Sequence, residues 1–158
     1  MRLFVFRGFI FLQLFAALSA QTNSQYFEIP VWTGDEESCP TPRSIQFNGE
    51  VFRSPAKSEG VDWVGVLPGD GIANVVEFDK AVFVLTEENS ETRGFLISCI
   101  YKTVEERYLK MRPNTGNRHD EIMWIVRPSS WKRSGDFSST RILVCADKAE
   151  RGCAFFLK

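Results

Sequence analysis

Histidine is almost absent from this chain, and with His119 alone no multi-histidine metal site can form within one copy. None of the four cysteines, Cys39, Cys99, Cys145 and Cys153, falls in a C-x-x-C pair, so the spacing of a redox site or a zinc ribbon is missing. No G-x-x-x-x-G-K-[ST], G-x-G-x-x-G or G-x-S-x-G occurs, which removes the phosphate cradle, the dinucleotide loop and the nucleophile elbow. These absences point to no cofactor. A basic excess is missing as well. The 19 Lys and Arg meet 20 Asp and Glu, whereas a dedicated nucleic-acid binder carries a clearly basic domain, so no nucleic-acid partner is expected. No apolar run approaches the roughly 20 residues that span a bilayer, so the chain is not expected to cross a membrane.

What is present begins with an address. Arg2 and Arg7 supply a basic start, Gly8 to Leu18 is apolar except for Gln13, and small residues follow to Ala20. That order is the pattern of a secretory signal peptide over residues 1–20, with cleavage preferred after Ala20. Gln21 takes the place where a lipoprotein would need cysteine, so a lipid anchor is not expected. In the oxidising compartment that export implies, an even set of four cysteines reads as two disulfides. Three pairings are open. We favour Cys39–Cys99 with Cys145–Cys153, because a polar run ending in Gly152 suits a short connection between two strands; the main alternative is Cys99–Cys145 with Cys39–Cys153. No Asn-x-Ser/Thr sequon occurs, which is compatible with a periplasm, the preferred destination over secretion.

After the signal, residues 21–38 read as a polar leader and 39–158 as one domain. Asn48-Gly49, with alternating apolar residues on both sides, predicts a tight hairpin with positive φ at both turn residues. Strands are further predicted over Trp63 to Leu67, Val75 to Phe78, Ala81 to Leu85 and Gly94 to Tyr101. Others follow over Glu121 to Val126, Arg141 to Ala146 and Cys153 to Leu157. Thr103 to Met111 fits a helix or a strand; Tyr108 and Lys110 alternating with Leu109 and Met111 favour a strand over Arg107 to Met111. Short strands at even spacing predict an all-β, single-domain antiparallel sandwich or barrel.

Charge is divided along the chain. Residues 21–91 hold 13 acids and 4 bases, and residues 92–158 hold 7 acids and 13 bases. Either two faces of opposite sign result, or the halves interleave and their charges meet across strands; the second is favoured. Candidate chemistry is sparse. His119, in a polar loop beside Arg118 and Asp120, reads as a solvated side chain rather than a catalytic base. Asp35, Glu36, Asp70 and Asp79 lack the ligand spacing of a calcium loop. The pairs Glu36-Glu37, Glu87-Glu88 and Glu105-Glu106 would serve a glycan hydrolase or a glycan-binding site only if the fold gathered them.

One segment carries a binding expectation: Trp124, Arg127, Trp131, Lys132 and Arg133, where Pro128 and two serines place Trp131 in a loop among cations. An exposed aromatic among cations suits a protein hot spot, or an anionic glycan or lipid headgroup. The competing expectation is that Trp131 folds back over the end of the sheet.

The order Cys39-Pro40, Asn48-Gly49, Trp63-Val-Gly65, Phe78 and Ala81 resembles a known pattern. It continues through Gly94-Phe-Leu-Ile-Ser-Cys99-Ile-Tyr101, Trp124, Val144-Cys145 and Cys153-Ala-Phe155. It is similar to small exported proteins of unassigned function from Legionella- and Coxiella-type intracellular bacteria. That resemblance implies periplasmic or secreted life, a β-rich disulfide fold and no catalytic residue. It also implies a role in host interaction or in supporting a virulence secretion system. The expected function is therefore a non-enzymatic interaction module whose partner is an envelope, secretion or host protein. Intact mass of the exported chain is expected to match a protein that starts at Gln21.

Overall fold

The computed structural model describes residues 36–69, 73–115, 122–135 and 141–157. The signal segment, the leader to residue 35 (with Asp35), Asp70 and Gly71 of the expected turn, Arg118 to Asp120 with His119, and Glu121 lie outside the described residues. The chain divides into two units, Met1–Pro30 and Val31–Lys158, and everything described belongs to the second.

Among the described residues, eleven strands, all paired antiparallel, form one curled sheet: a half-barrel with two disulfides. They are β1 Glu36–Glu37, β2 Gln46–Phe47, β3 Phe52–Pro55, β4 Asp62–Val66, β5 Val75–Leu85 and β6 Arg93–Thr103. β7 Tyr108–Asn114, β8 Met123–Ile125, β9 Lys132–Arg133, β10 Ile142–Cys145 and β11 Phe155–Leu157 complete the set. β6 is the hub. One of its edges pairs with β5 along nearly its whole length, and β5 in turn pairs with β10, which carries β9 at the rim. The other edge is divided. β8 takes Arg93 and Gly94, while β7 takes Cys99 to Lys102. Two arms grow from that division, β7–β4–β3–β2 and β8–β11–β1.

The arms meet through side chains. Trp63 of β4 and Phe155 of β11 pack edge to face with ring centroids 6.1 Å apart, and both are essentially inaccessible. Such a ring pair contributes about 0.5–1.5 kcal/mol beyond its area. Phe52, Phe83, Tyr101, Leu109 and Met111 fill the same core. Gly65 is required where β4 passes β7, because a Cβ there would overlap Met111 and approach the Lys110 carbonyl to 2.8 Å.

One cross-strand row explains the disulfide pairing. Cys145 lies opposite Ala81, Ala81 opposite Cys99, and Cys99 opposite Met111. Cys99 and Cys145 therefore share a face with a whole strand between them, about 10 Å apart at the usual strand spacing. A disulfide needs Cα atoms within about 7 Å, so the alternative Cys99–Cys145 bridge is sterically excluded. Each instead takes a partner from a segment crossing the row: Cys39 for Cys99 and Cys153 for Cys145, both at 5.8 Å between Cα atoms. The favoured pairing is the one present.

Several local expectations are corrected. Residues 46–53 form a hairpin, but its loop holds four residues, with Gln46 opposite Arg53 and Phe47 opposite Phe52. Only Gly49 has positive φ; Asn48 instead uses its side-chain oxygen to accept the amides of Glu50 and Val51. The segments around Phe78 and Ala81 are one strand, not two, because register irregularities at Val75/Glu77 and Phe78/Lys80 absorb the polar Asp79-Lys80 step. The leader ends sooner than residue 38: Glu36–Glu37 pairs with Phe155–Phe156 as an edge strand. The ambiguous segment is a strand, hairpinned onto β6 as expected, though it runs on to Asn114.

Non-reducing peptide mapping is expected to return linked 39–99 and 145–153 peptides and no 99–145 peptide. Replacing Cys39 and Cys99 by alanine should lower unfolding free energy by about 4 kcal/mol, against about 2.5 for Cys145 and Cys153, since loop closure scales with the length enclosed. Chemical unfolding of the two double variants checks the order.

Candidate interaction surface

The segment singled out for binding is not an exposed loop. A 3₁₀ turn over Pro128–Ser130 swings the chain inward, and Trp131 is only 6% exposed, its ring edge-on to Phe83 at 5.6 Å. The hot-spot expectation for Trp131 is corrected: proline fixed the turn but aimed the indole at the core. Trp124 lies half-buried on β8, with the Arg93 guanidinium over its ring at 5.9 Å. Lys132 and Arg133 are exposed on β9, the rim strand beside β10, and Arg127 is exposed ahead of the 3₁₀ turn. β8 pairs with β11 and β6 and β9 with β10, so Trp124 and the two rim cations belong to different ladders of the sheet. Cations on a rim strand discourage edge-to-edge pairing with another sheet.

The carboxylate pairs are dispersed. Glu36 points outward to hold Arg151 through two contacts of 2.6 and 3.0 Å, while Glu37 points inward, buried, and accepts the Ser58 amide at 2.5 Å. Glu87-Glu88 and Glu105-Glu106 occupy the turns at opposite ends of β6, which has 11 residues and so spans about 35 Å. A glycosidase pair sits within about 10 Å, so these two cannot share a cleft. Among the described residues, no three His, Cys, Asp or Glu side chains group as metal ligands.

Two cavities flank the strap from Ser38 to Thr41. One, of about 210 Å³, runs between the strap and the Asp147 to Cys153 loop with Phe78 as its floor. The other, of about 140 Å³, is lined by Glu37, Lys57, Trp63 and Glu150. The strap is held down by the Cys39–Cys99 bond and by the buried Tyr101 hydroxyl, which donates to the Pro40 carbonyl at 2.7 Å. Burial pushes the Tyr101 phenol far above its ordinary range, so it stays a donor at any physiological pH. Across the loop, Lys148 bonds the exposed Glu77 carboxylate and holds it below its ordinary pKa.

The charge halves interleave as favoured. Lys102 to Asp79, Lys148 to Glu77 and Arg151 to Glu36 each join a base from the second half to an acid from the first. The compensation is incomplete on the outer face of β4, β7, β6 and β5. Three rows cross it: Val66–Lys110–Ile100–Lys80, Val64–Arg112 continuing to Arg53, and Tyr108–Lys102–Glu77. Val66 is 61% exposed and Tyr108 49%; Lys110, opposite Val66 and two residues from Tyr108, and Arg112 beyond it are exposed as well. Sequence reading recognised the Tyr108/Lys110 alternation as a strand but not as a surface. The signal that was missed is Val66, an apolar residue on the outward register of its strand, next to those cations.

A family model described as "Protein of unknown function (DUF3757)" matches residues 34–156. No curated protein and no solved structure matches the chain. The match starts just before β1 and ends within β11, so it covers every described strand except the last residue of β11.

Trp131→Ala is expected to lower stability by about 3 kcal/mol or more, as large aromatic truncations in cores do. Thermal unfolding reads this directly; a variant melting like the parent would return Trp131 to the surface.

Proposed function

The chain belongs to the family described as protein of unknown function (DUF3757), and we propose that it is a non-enzymatic, exported protein-interaction module of the periplasm. On this reading residues 1–20 are removed as a signal peptide, and the two disulfides form in the oxidising compartment they suit. The partner is an envelope or secretion component or a host protein. The resemblance in motif order to exported proteins of intracellular bacteria supports a place near virulence secretion machinery and intracellular replication.

The observation that carries the reading is the outer face of β4, β7 and β6. Soluble sheets normally leave the solvent side polar, yet here Val66 and Tyr108 stand exposed among lysine and arginine. Aromatic residues with arginine are the composition of binding surfaces. The cavities offer less: at about 210 and 140 Å³ they fall below the roughly 300–1,000 Å³ usual for small-molecule sites. A second reading, a small envelope glycan hydrolase or glycan-binding protein, draws on Glu37 and Glu150 lining one cavity. It is weaker because Glu37 is already engaged by the Ser58 amide. Turnover of a labelled envelope glycan that is lost in Glu150→Gln would replace the first reading with the second.

Affinity capture from the native envelope tests the module. The tagged wild-type protein is expected to retain a specific protein, and Val66→Asp with Tyr108→Ala to lose it while melting within a few degrees of wild type. Capture unchanged by the double variant would move the interaction elsewhere.

A further inference from the structure

The outer face has a sign and a repeat, and both constrain its occupant. Arg53 is matched by Asp62, and Lys80 and Lys102 share Asp79 at 3.8 Å each. Lys110 and Arg112 have no acidic partner among the described residues, so the face is left cationic in a chain whose segment from 21 to 158 is net acidic. Tyr108, Lys110 and Arg112 are alternate residues of β7 on one face, spaced about 7 Å apart. That is also the side-chain repeat of any extended chain laid along β7.

We propose that this face binds an extended acidic segment of another protein, with carboxylates set against Lys110 and Arg112 and apolar side chains against Tyr108 and Val66. The inference rests on the interaction reading above and names the partner's chemistry. Charge complementarity selects an acidic partner. The acids on the face select a protein over a lipid surface or a polyanion. Asp62, Asp79 and Glu77 are each matched by a base, so the uncompensated charge is confined to Lys110 and Arg112, and a densely charged polyanion or lipid surface would press further anions against those three acids. A protein segment can place acids and neutral residues individually.

The test uses the folded, disulfide-bonded protein and four probes. These are a fluorescent peptide repeating Val-Ser-Glu-Ser-Glu-Ser, whose alternate residues put valine and two glutamates on one face of the extended chain, its counterpart with lysine for glutamate, heparin, and vesicles of phosphatidylcholine with phosphatidylglycerol. The glutamate peptide is expected to bind saturably and the lysine peptide not to bind. Amide shifts should be confined to Asp62–Val66, Ile100–Lys102 and Tyr108–Asn114. Lys110→Glu with Arg112→Glu should weaken the glutamate peptide by roughly tenfold or more, and added salt should narrow that gap as the charges are screened. Tyr108→Ala should weaken it at all salt concentrations. Lys110→Gln with Arg112→Gln, which adds no repulsion, should fall between wild type and the charge-reversed pair.

Equal binding of both peptides, or of wild type and the charge-reversed variant, overturns the proposal. Heparin or vesicles bound more tightly than the glutamate peptide also overturn it and assign the face to a polyanion or a membrane. If the acidic peptide fails while Val66→Asp with Tyr108→Ala still abolishes envelope capture, the partner's chemistry is wrong and the module reading stands. If capture is indifferent to the face as well, both fall.

Discussion

The fold depends on one row of residues across the middle of the sheet, Cys145–Ala81–Cys99–Met111. Two half-cystines stand on alternate strands of that row with a small residue between them. Neither can reach the other, so each must draw in a segment from outside the sheet. Cys99 draws in the strap that follows β1, and Cys145 draws in the approach to β11. The strands that bracket the described fold in sequence, β1 and β11, are the pair that hydrogen-bond each other at the end of one arm. The two covalent ties thus secure an arm whose outermost strand is held by a ladder of only two residue pairs. Tyr101, next to Ile100 and two residues beyond Cys99, adds its buried hydrogen bond to the same strap.

The division of β6 decides the shape. A strand that pairs with β8 near one end and β7 near the other sends two arms off one edge. Sheet twist turns those arms toward each other until Trp63 meets Phe155. Closure by side chains in place of a continuous ladder leaves the solvent face of β4 and β7 uncovered by any described strand. The core and the proposed docking face are therefore the two sides of the same strands. Leu109 and Met111 serve one, Tyr108, Lys110 and Arg112 the other.

The strand class, the disulfide arrangement and most strand positions were legible because alternation and turn residues are local signals. β7 is the clearest case: its in-out pattern stands in the sequence and outweighs the helical spacing of Val104, Tyr108 and Met111. What was not legible is long-range. Trp131 has the flanks of a loop residue, and only the pairing of β9 with β10 and of β10 with β5 brings it over Phe83. Val66 and Lys110 lie 44 positions apart, and nothing short of the β4–β7 register shows that they are neighbours. Glu36–Glu37 was lost for a different reason. A two-residue edge strand of acids has no propensity signal and is held by its partner, by Arg151 and by Ser58.

The bridges also carry an order. Reading from the N-terminus, the first cysteine is joined to the second and the third to the fourth. A chain threaded N-terminus first through a membrane pore presents its thiols to an oxidant in that same succession. Cys39 meets Cys99 before either later cysteine has emerged, and Cys145 is then left with Cys153 alone. For such a chain the native pairing is the sequential one, so an oxidant acting on each thiol as it arrives suffices and a disulfide isomerase has nothing to correct.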